Sequence, residues 1–293
     1  MVRKHDYPSD KCVLLPDGRR LGYADYGALS GQPIFSFHGG LSSRLDVRFA
    51  DDLCRSLGVR LISVDRPGIG LSDYQPGRTL LDWPDDVIHL ADLLKLERFG
   101  LFGWSGGGPY VLACAYKIPH RVTRAGSSGG MAPLDRPGAV SELGLVADRI
   151  LFSLVRRAPC LALALLELAR CQMPAMLKCS LLRELSSPGD RAVILSLSLE
   201  ETTEFFFEAF RSGADGTLQD YRIMGGPWGF RLEEISMEIL LWQGEEDRLL
   251  PMTHAKHLAA YLPRGQLIVV PQQGHFLLRT QMPAIVTELT RTL

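Results

Sequence analysis

The chain reads as an α/β protein: a mostly parallel sheet with helices on both faces, plus an inserted helical block. Three observations lead there. Short β-like runs alternate with helical patterns over residues 1–132 and again over 231–293. Residues 133–230 between them are helix-like, with no clear strand. The third is Gly103-Trp104-Ser105-Gly106-Gly107, a G-x-S-x-G run between an apolar stretch and a helical one.

The elements follow in order. Residues 12–15 and 21–26 read as strands around the turn Pro16-Asp17-Gly18. Residues 34–38 and 60–65 are two more, with a helical stretch near 44–57 between them. A helix over about 84–96 sets Val87, Ile88, Ala91 and Leu94 on one side, and Pro84 suits its first turn. Residues 98–102 form the strand entering the glycine-bound serine, and 108–116 the helix leaving it. A strand near 122–127 precedes the helical block. After it come a strand at 239–243, a helix near 253–261 and a strand at 266–270, which Pro271 ends. A final helix runs from about 283 to 293. A block that leaves after one strand and returns before the next would sit over the carboxyl edge of the sheet, as a cap. Ligands gather at that edge.

Composition narrows the class. Hydrophobic residues make up 46% and charged residues 22%, as in ordinary globular proteins. A net charge of −1 and the lack of a dense Lys/Arg block argue against a nucleic-acid partner. The six cysteines (Cys12, Cys54, Cys114, Cys160, Cys171, Cys179) show neither C-x-x-C pairs nor metal-finger spacing. The polar opening residues 1–8 carry no apolar secretory run. Free thiols and a cytoplasmic location are the expectation. Residues 159–166 are strongly apolar but far shorter than the roughly 20 residues a membrane span needs. They are expected as a buried or pocket-covering helix. Neither a metal-ligand cluster nor a cofactor fingerprint appears, and the oligomeric state is open.

A serine hydroxyl is a weak nucleophile until a base takes its proton, and the base needs an orienting acid. Ser105 is the candidate nucleophile. His275, in Gly274-His275-Phe276 after the last strand, is the leading base. Asp247, in Gly244-Glu245-Glu246-Asp247 after the strand before, is the leading acid, with Glu245, Glu246 and Asp135 as weaker substitutes. All three sites fall at strand carboxyl ends, in the order Ser, Asp, His. His89, His120, His254 and His257 read as surface or packing residues. The backbone amides of Gly40 and Gly106 are the candidate oxyanion donors, because His38-Gly39-Gly40 follows the third strand. His38 is given no proton-transfer role. Trp104, Leu41, Phe206 and Phe276 are candidate pocket residues. The loop Asp65-Arg66-Pro67-Gly68-Ile69-Gly70-Leu71-Ser72-Asp73 lacks the lysine and spacing of a phosphate loop and reads as structural.

Taken together, these motifs resemble the α/β-hydrolase superfamily with a helical cap, over nearly the whole chain. The resemblance implies an eight-stranded, mostly parallel sheet, a Ser–His–Asp triad and no cofactor. Serine at 105 departs from the aspartate nucleophile of haloalkane dehalogenases and epoxide hydrolases. The His-Gly-Gly is similar to that of prolyl aminopeptidases, but Leu41-Ser42-Ser43 lacks their next Pro-Gly. The reading that follows is a serine carboxylesterase for small or medium, largely apolar esters. Lactone or carbon–carbon bond hydrolysis, or a non-catalytic ligand receptor on the same fold, are the alternatives.

Overall fold

In the computed structural model, which describes residues 9–184 and 187–291, eight strands hydrogen-bond into one sheet. They are β1 (Asp10–Leu14), β2 (Arg20–Gly27), β3 (Gln32–Phe37), β4 (Val59–Val64), β5 (Phe99–Trp104), β6 (Val122–Ser128), β7 (Ile239–Gly244) and β8 (Gly265–Val270). Their spatial order is β1-β2-β4-β3-β5-β6-β7-β8. The β1–β2 and β2–β4 pairs are antiparallel, and every other pair is parallel. The interior strands β5 and β7 are buried along their whole length, as strands covered on both faces must be.

Helices α1 (Asp51–Ser56), α2 (Trp83–Leu93) and α3 (Gly108–Lys117) connect the early strands. Among the described residues, seven α-helices lie between β6 and β7: α4 (Ala139–Glu142), α5 (Val146–Arg157), α6 (Pro159–Arg170), α7 (Pro174–Glu184), α8 (Pro188–Ser196), α9 (Leu199–Ala209) and α10 (Asp215–Met224). Then α11 (Met252–Tyr261) joins β7 to β8, and α12 (Leu278–Thr290) closes the chain. Alternate strand residues feed two cores. Phe35, Phe99 and Leu101 pack with Val87, Val111 and Leu258 on one face. Ile34, Phe102 and Trp104 pack with Cys54, Ile285 and Leu289 on the other. The first core continues upward into the insertion through Phe152, Phe207, Tyr221 and Met224.

Three sequence expectations change. The stretch 44–57 is helical only from Asp51, after a 3-10 turn at Arg48–Ala50. Residues 44 and 46 are instead held by side-chain bonds to Asp65 and Gly39. The last helix starts at Leu278 and carries Pro283 inside it, because the 3-10 turn at His275–Leu277 runs straight into it. The apolar run at 159–166 does form a helix, but Leu161 and Leu165 face outward and only Ala162 and Leu166 are buried.

The turn after β5 has no room for side chains. A Cβ on Gly107 would lie 2.0 Å from the Phe37 carbonyl oxygen, and one on Gly103 2.6 Å from that of Gly107. A Cβ on Gly40 would meet nothing within 4 Å. Gly107→Ala therefore lowers the unfolding free energy by at least about 2 kcal/mol, and Gly40→Ala by less than about 0.5 kcal/mol. Urea unfolding curves of the two variants check the difference.

Candidate active site

Ser105 stands where β5 meets α3, at the carboxyl edge of the sheet. Its φ is +54°, a left-handed conformation that costs a non-glycine residue about 1–3 kcal/mol. The residue is only 8% exposed, and its carbonyl accepts the Met131 amide at 3.3 Å.

On one side lies the loop after β3. A Cβ on Gly106 would sit 2.9 Å from the Gly40 amide nitrogen and 2.9 Å from Met224 Sδ. The Gly40 amide and Gly106 are thus neighbours, and the end of α10 lies over them. The loop is held from behind. The Gly39 amide donates to Asp46 Oδ2 at 3.1 Å. Arg66 donates through Nη1 to the His38 carbonyl at 2.5 Å and through Nη2 to that of Gly39 at 2.8 Å. His38 accepts the Arg66 amide at Nε2 (3.2 Å), and its Nδ1 meets the Gly39 carbonyl at 2.9 Å. Burial, helped by the Arg66 charge, drives its pKa well below the ordinary value and keeps it neutral. Burial pushes Asp46 up to about 7, against the Gly39 amide and Arg66.

On the other side are the carboxyl ends of β7 and β8. Asp247 Oδ1 accepts the Leu249 and Leu250 amides, both at 2.9 Å. Its Oδ2 accepts Gln243 Nε2 at 3.3 Å and faces His275 Nδ1 at 2.8 Å. Burial acts to lower the His275 pKa. The Asp247 carboxylate outweighs it by charge and hydrogen bond, Asp190 and Asp148 add to it, and the net shift is upward. Glu245 and Asp135 are exposed, Glu246 is half-buried, and none of the three is bonded to His275. Trp104 joins the two sides: its Nε1 donates to the His275 carbonyl at 3.1 Å, and the two rings lie 5.5 Å apart. Among the described hydrogen bonds, none joins Ser105 Oγ to His275 Nε2. Catalytic contacts of this kind are often long without substrate.

The other candidates fall as follows. Phe276 packs 5.3 Å from Trp104. Leu41 is half-buried beside Gly40, with φ +51°. Phe206 packs against Phe207 and Phe210, at 5.3 and 5.1 Å. Its neighbour Phe205 faces Trp104, at 6.3 Å. His254 accepts the Ala132 amide, and burial together with Arg136 lowers its pKa to about 4. Among the described residues no His, Cys, Asp or Glu cluster is arranged for a metal ion.

Sequence reasoning missed two carboxylates, both from the insertion. Asp190, in the first turn of α8, accepts the His275 amide at 3.0 Å and the Phe276 amide at 2.7 Å. Ser187-Pro188-Gly189-Asp190 is legible as a helix start, and Ser187 does cap the Asp190 amide at 3.1 Å. Nothing in that spacing points to residue 275. Asp220, on α10, accepts Arg66 Nε at 2.6 Å, the Tyr110 hydroxyl at 2.9 Å, and Arg78 Nη2. Burial would raise its pKa, but the two guanidinium groups hold it down at about 2.

The family described as alpha/beta hydrolase fold matches residues 32–280. An uncharacterized hydrolase of Bacillus subtilis, YcgS, is 24% identical over 272 residues, covering 89% of this chain and 90% of that protein. The 2-hydroxymuconate semialdehyde hydrolase of a Pseudomonas species is 26% identical, covering 90% and 86%. Among solved structures, an esterase from Exiguobacterium antarcticum superposes with a TM-score of 0.70 at 19% identity, over 96% of this chain and 99% of that one.

The pKa balance at His275 gives a test. By proton NMR the wild-type ring titrates above the ordinary histidine value of about 6.5. In Asp247→Asn it titrates lower than in the wild type, since burial is then opposed only by Asp190 and Asp148. Because the folded pKa is raised, the group's contribution to stability is fully present below about pH 6.5 and is lost as pH rises through the folded value. Asp190→Ala leaves two buried amides unpaired and costs about 2 kcal/mol or more in urea unfolding.

Proposed function

We propose, from the premise that the chain belongs to the α/β-hydrolase fold family, that it is a serine hydrolase cleaving largely apolar carboxylic esters. One observation carries the reading: a buried Asp247–His275 pair at 2.8 Å stands at the same sheet edge as a serine held at φ +54°.

Ser105 Oγ attacks the ester carbonyl as its proton passes to His275 Nε2. Asp247 holds the ring by Nδ1 and stabilises the imidazolium. The Gly40 and Gly106 amides receive the negative charge growing on the carbonyl oxygen. The intermediate collapses, the ester C–O bond breaks, and the alcohol leaves with the proton from His275. Water then attacks the acyl-enzyme as its proton passes to the same nitrogen, the acyl C–Oγ bond breaks, and His275 returns the proton to Ser105 Oγ as the acid leaves. Residues 133–230 act as a cap. Its Met224, beside Gly106, and Phe205, against Trp104, give the acyl chain apolar contact, which is the support for an apolar substrate.

Wild type hydrolyses p-nitrophenyl butyrate and is labelled by a fluorophosphonate. Ser105→Ala is unlabelled and loses at least about 10³-fold in kcat. Equal turnover by the two proteins overturns the proposal. The base works only when neutral, so kcat/KM falls as pH drops through the raised His275 pKa, and the acid limb lies above the ordinary histidine value. A panel of lactones beside the esters separates the substrate classes.

A further inference from the structure

The peptide that carries one proposed oxyanion donor is held from the insertion. The Gly39 carbonyl and the Gly40 amide are the two ends of one planar unit, and in a trans peptide they point in opposite directions. Whatever grips that carbonyl therefore aims the Gly40 N–H. Two groups grip it: Arg66 Nη2 donates to it at 2.8 Å, and the neutral His38 ring meets it through Nδ1 at 2.9 Å. The preceding peptide is pinned at both ends as well. Arg66 Nη1 donates to the His38 carbonyl at 2.5 Å, and the Gly39 amide donates to Asp46 at 3.1 Å.

Arg66 is fully buried, and a buried guanidinium needs a partner for its charge. Among the described residues the core supplies no carboxylate in ion-pair contact with it. The one that pairs with it is Asp220 on α10, 2.6 Å from Nε. Asp220 is located in turn by two core donors, the Tyr110 hydroxyl at 2.9 Å and Arg78. The Arg66 guanidinium also rests on the Tyr110 ring, 4.6 Å from its centroid. Four residues further along α10, Met224 lies over Gly106 and the Gly40 amide. We propose that Asp220 is a positioning residue for oxyanion stabilisation: through Arg66 it fixes the Gly39–Gly40 peptide, so the hole is complete only when α10 is seated on the core. Without the carboxylate, Arg66 keeps its charge but loses the group that orients its Nε edge. Its two terminal nitrogens then no longer hold both carbonyls at once, and the Gly40 N–H loses its aim. A role in folding alone would cost stability and leave the chemistry of the folded molecules unchanged.

The inference rests on the serine-hydrolase reading for its kinetic test, and amide exchange gives a second test that needs no turnover. Asp220→Asn keeps the shape of the side chain and removes its charge. The double variant Asp220→Asn/Arg78→Met strands one guanidinium rather than two, and serves where the single variant does not fold. In the folded variants, kcat for p-nitrophenyl butyrate falls at least about tenfold while KM stays within about threefold, since the donor acts on the transition state. Hydrogen exchange read by mass spectrometry speeds up over residues 38–41. Glu208→Gln is the control: it takes an α9 carboxylate from buried Arg44 and touches no residue of that loop. It lowers the thermal midpoint and leaves both kcat and the exchange of residues 38–41 at wild-type level. Three outcomes overturn the proposal: wild-type kcat in a folded Asp220 variant, wild-type exchange over residues 38–41 in that variant, or an equal loss of kcat in Glu208→Gln. The last would make the link through Arg66 no different from any other contact of the insertion. A wild type that turns over no ester fails the hydrolase reading instead, and the exchange comparison still decides whether Asp220 holds the loop.

Discussion

Ser105 is held in a backbone conformation it would not choose alone, and the sheet edge is built to hold it. A φ of +54° costs about 1–3 kcal/mol, and the surrounding contacts over-determine it. Gly107 lets the turn press against the Phe37 carbonyl, and Gly39 lets the loop after β3 lie against the Trp104 ring, where a Cβ would come within 2.9 Å. Topology then does the rest. With β3 and β6 flanking β5, the loops at 38–41 and 129–131 must flank the serine. With β7 and β8 next in order, Asp247 and His275 emerge on the same edge. A parallel sheet turns sequence-distant strand ends into neighbours, and no loop need be long.

Buried charge fixes how the insertion sits on that edge. Arg44 is fully buried and bonds Asp10, Asp65 and Glu208, the last from α9. Arg66 and Arg78 share Asp220 from α10. Desolvating such groups offsets most of their attraction, so the clusters add little net stability over apolar packing. Losing one partner is different, since it strands a buried charge at about 3–5 kcal/mol. The arrangement therefore penalises displacement more than it rewards assembly. Arg66 also grips the His38 and Gly39 carbonyls, so the position of α10 and that of the Gly40 amide are set by one guanidinium.

How much of this was legible follows from sequence separation. The strands show because burial on both faces leaves continuous apolar runs, and the serine turn shows because its glycines are forced by local crowding. Asp247 could be placed because it follows a strand end directly. Asp190 and Asp220 could not, since they bond partners 85 and 154 residues away and look like ordinary polar helix residues. The loop near 44–57 misleads because a local helical pattern yields to the bond of the Arg44 amide to Asp65, 21 residues away, and to the bond of Asp46 back to the Gly39 amide. At Pro283, a residue that suits a helix start stands inside a helix already begun by the histidine turn. On α6, hydropathy reports an apolar run but not which way it points. The sequence does not single out Phe205 beside Phe206, because only the backbone phase of α9 decides that Phe205 meets Trp104.

Two buried histidines flank Ser105, and their surroundings give them opposite chemistry. His38 is occupied at both ring nitrogens, by the Gly39 carbonyl and the Arg66 amide, and a guanidinium stands beside it. A proton added there would have to break a hydrogen bond and enter a positive field. His275 is tied at Nδ1 alone, and the side chain on that nitrogen is a carboxylate whose other oxygen already accepts two amides. Burial disfavours a charged ring at both positions, so burial cannot tell them apart. The sign of the neighbouring charge does: Arg66 adds to the penalty at 38, and Asp247 more than cancels it at 275. A ring that is to take a proton from a serine needs an unengaged nitrogen and a stabilised cation. Of these two histidines, only His275 has both.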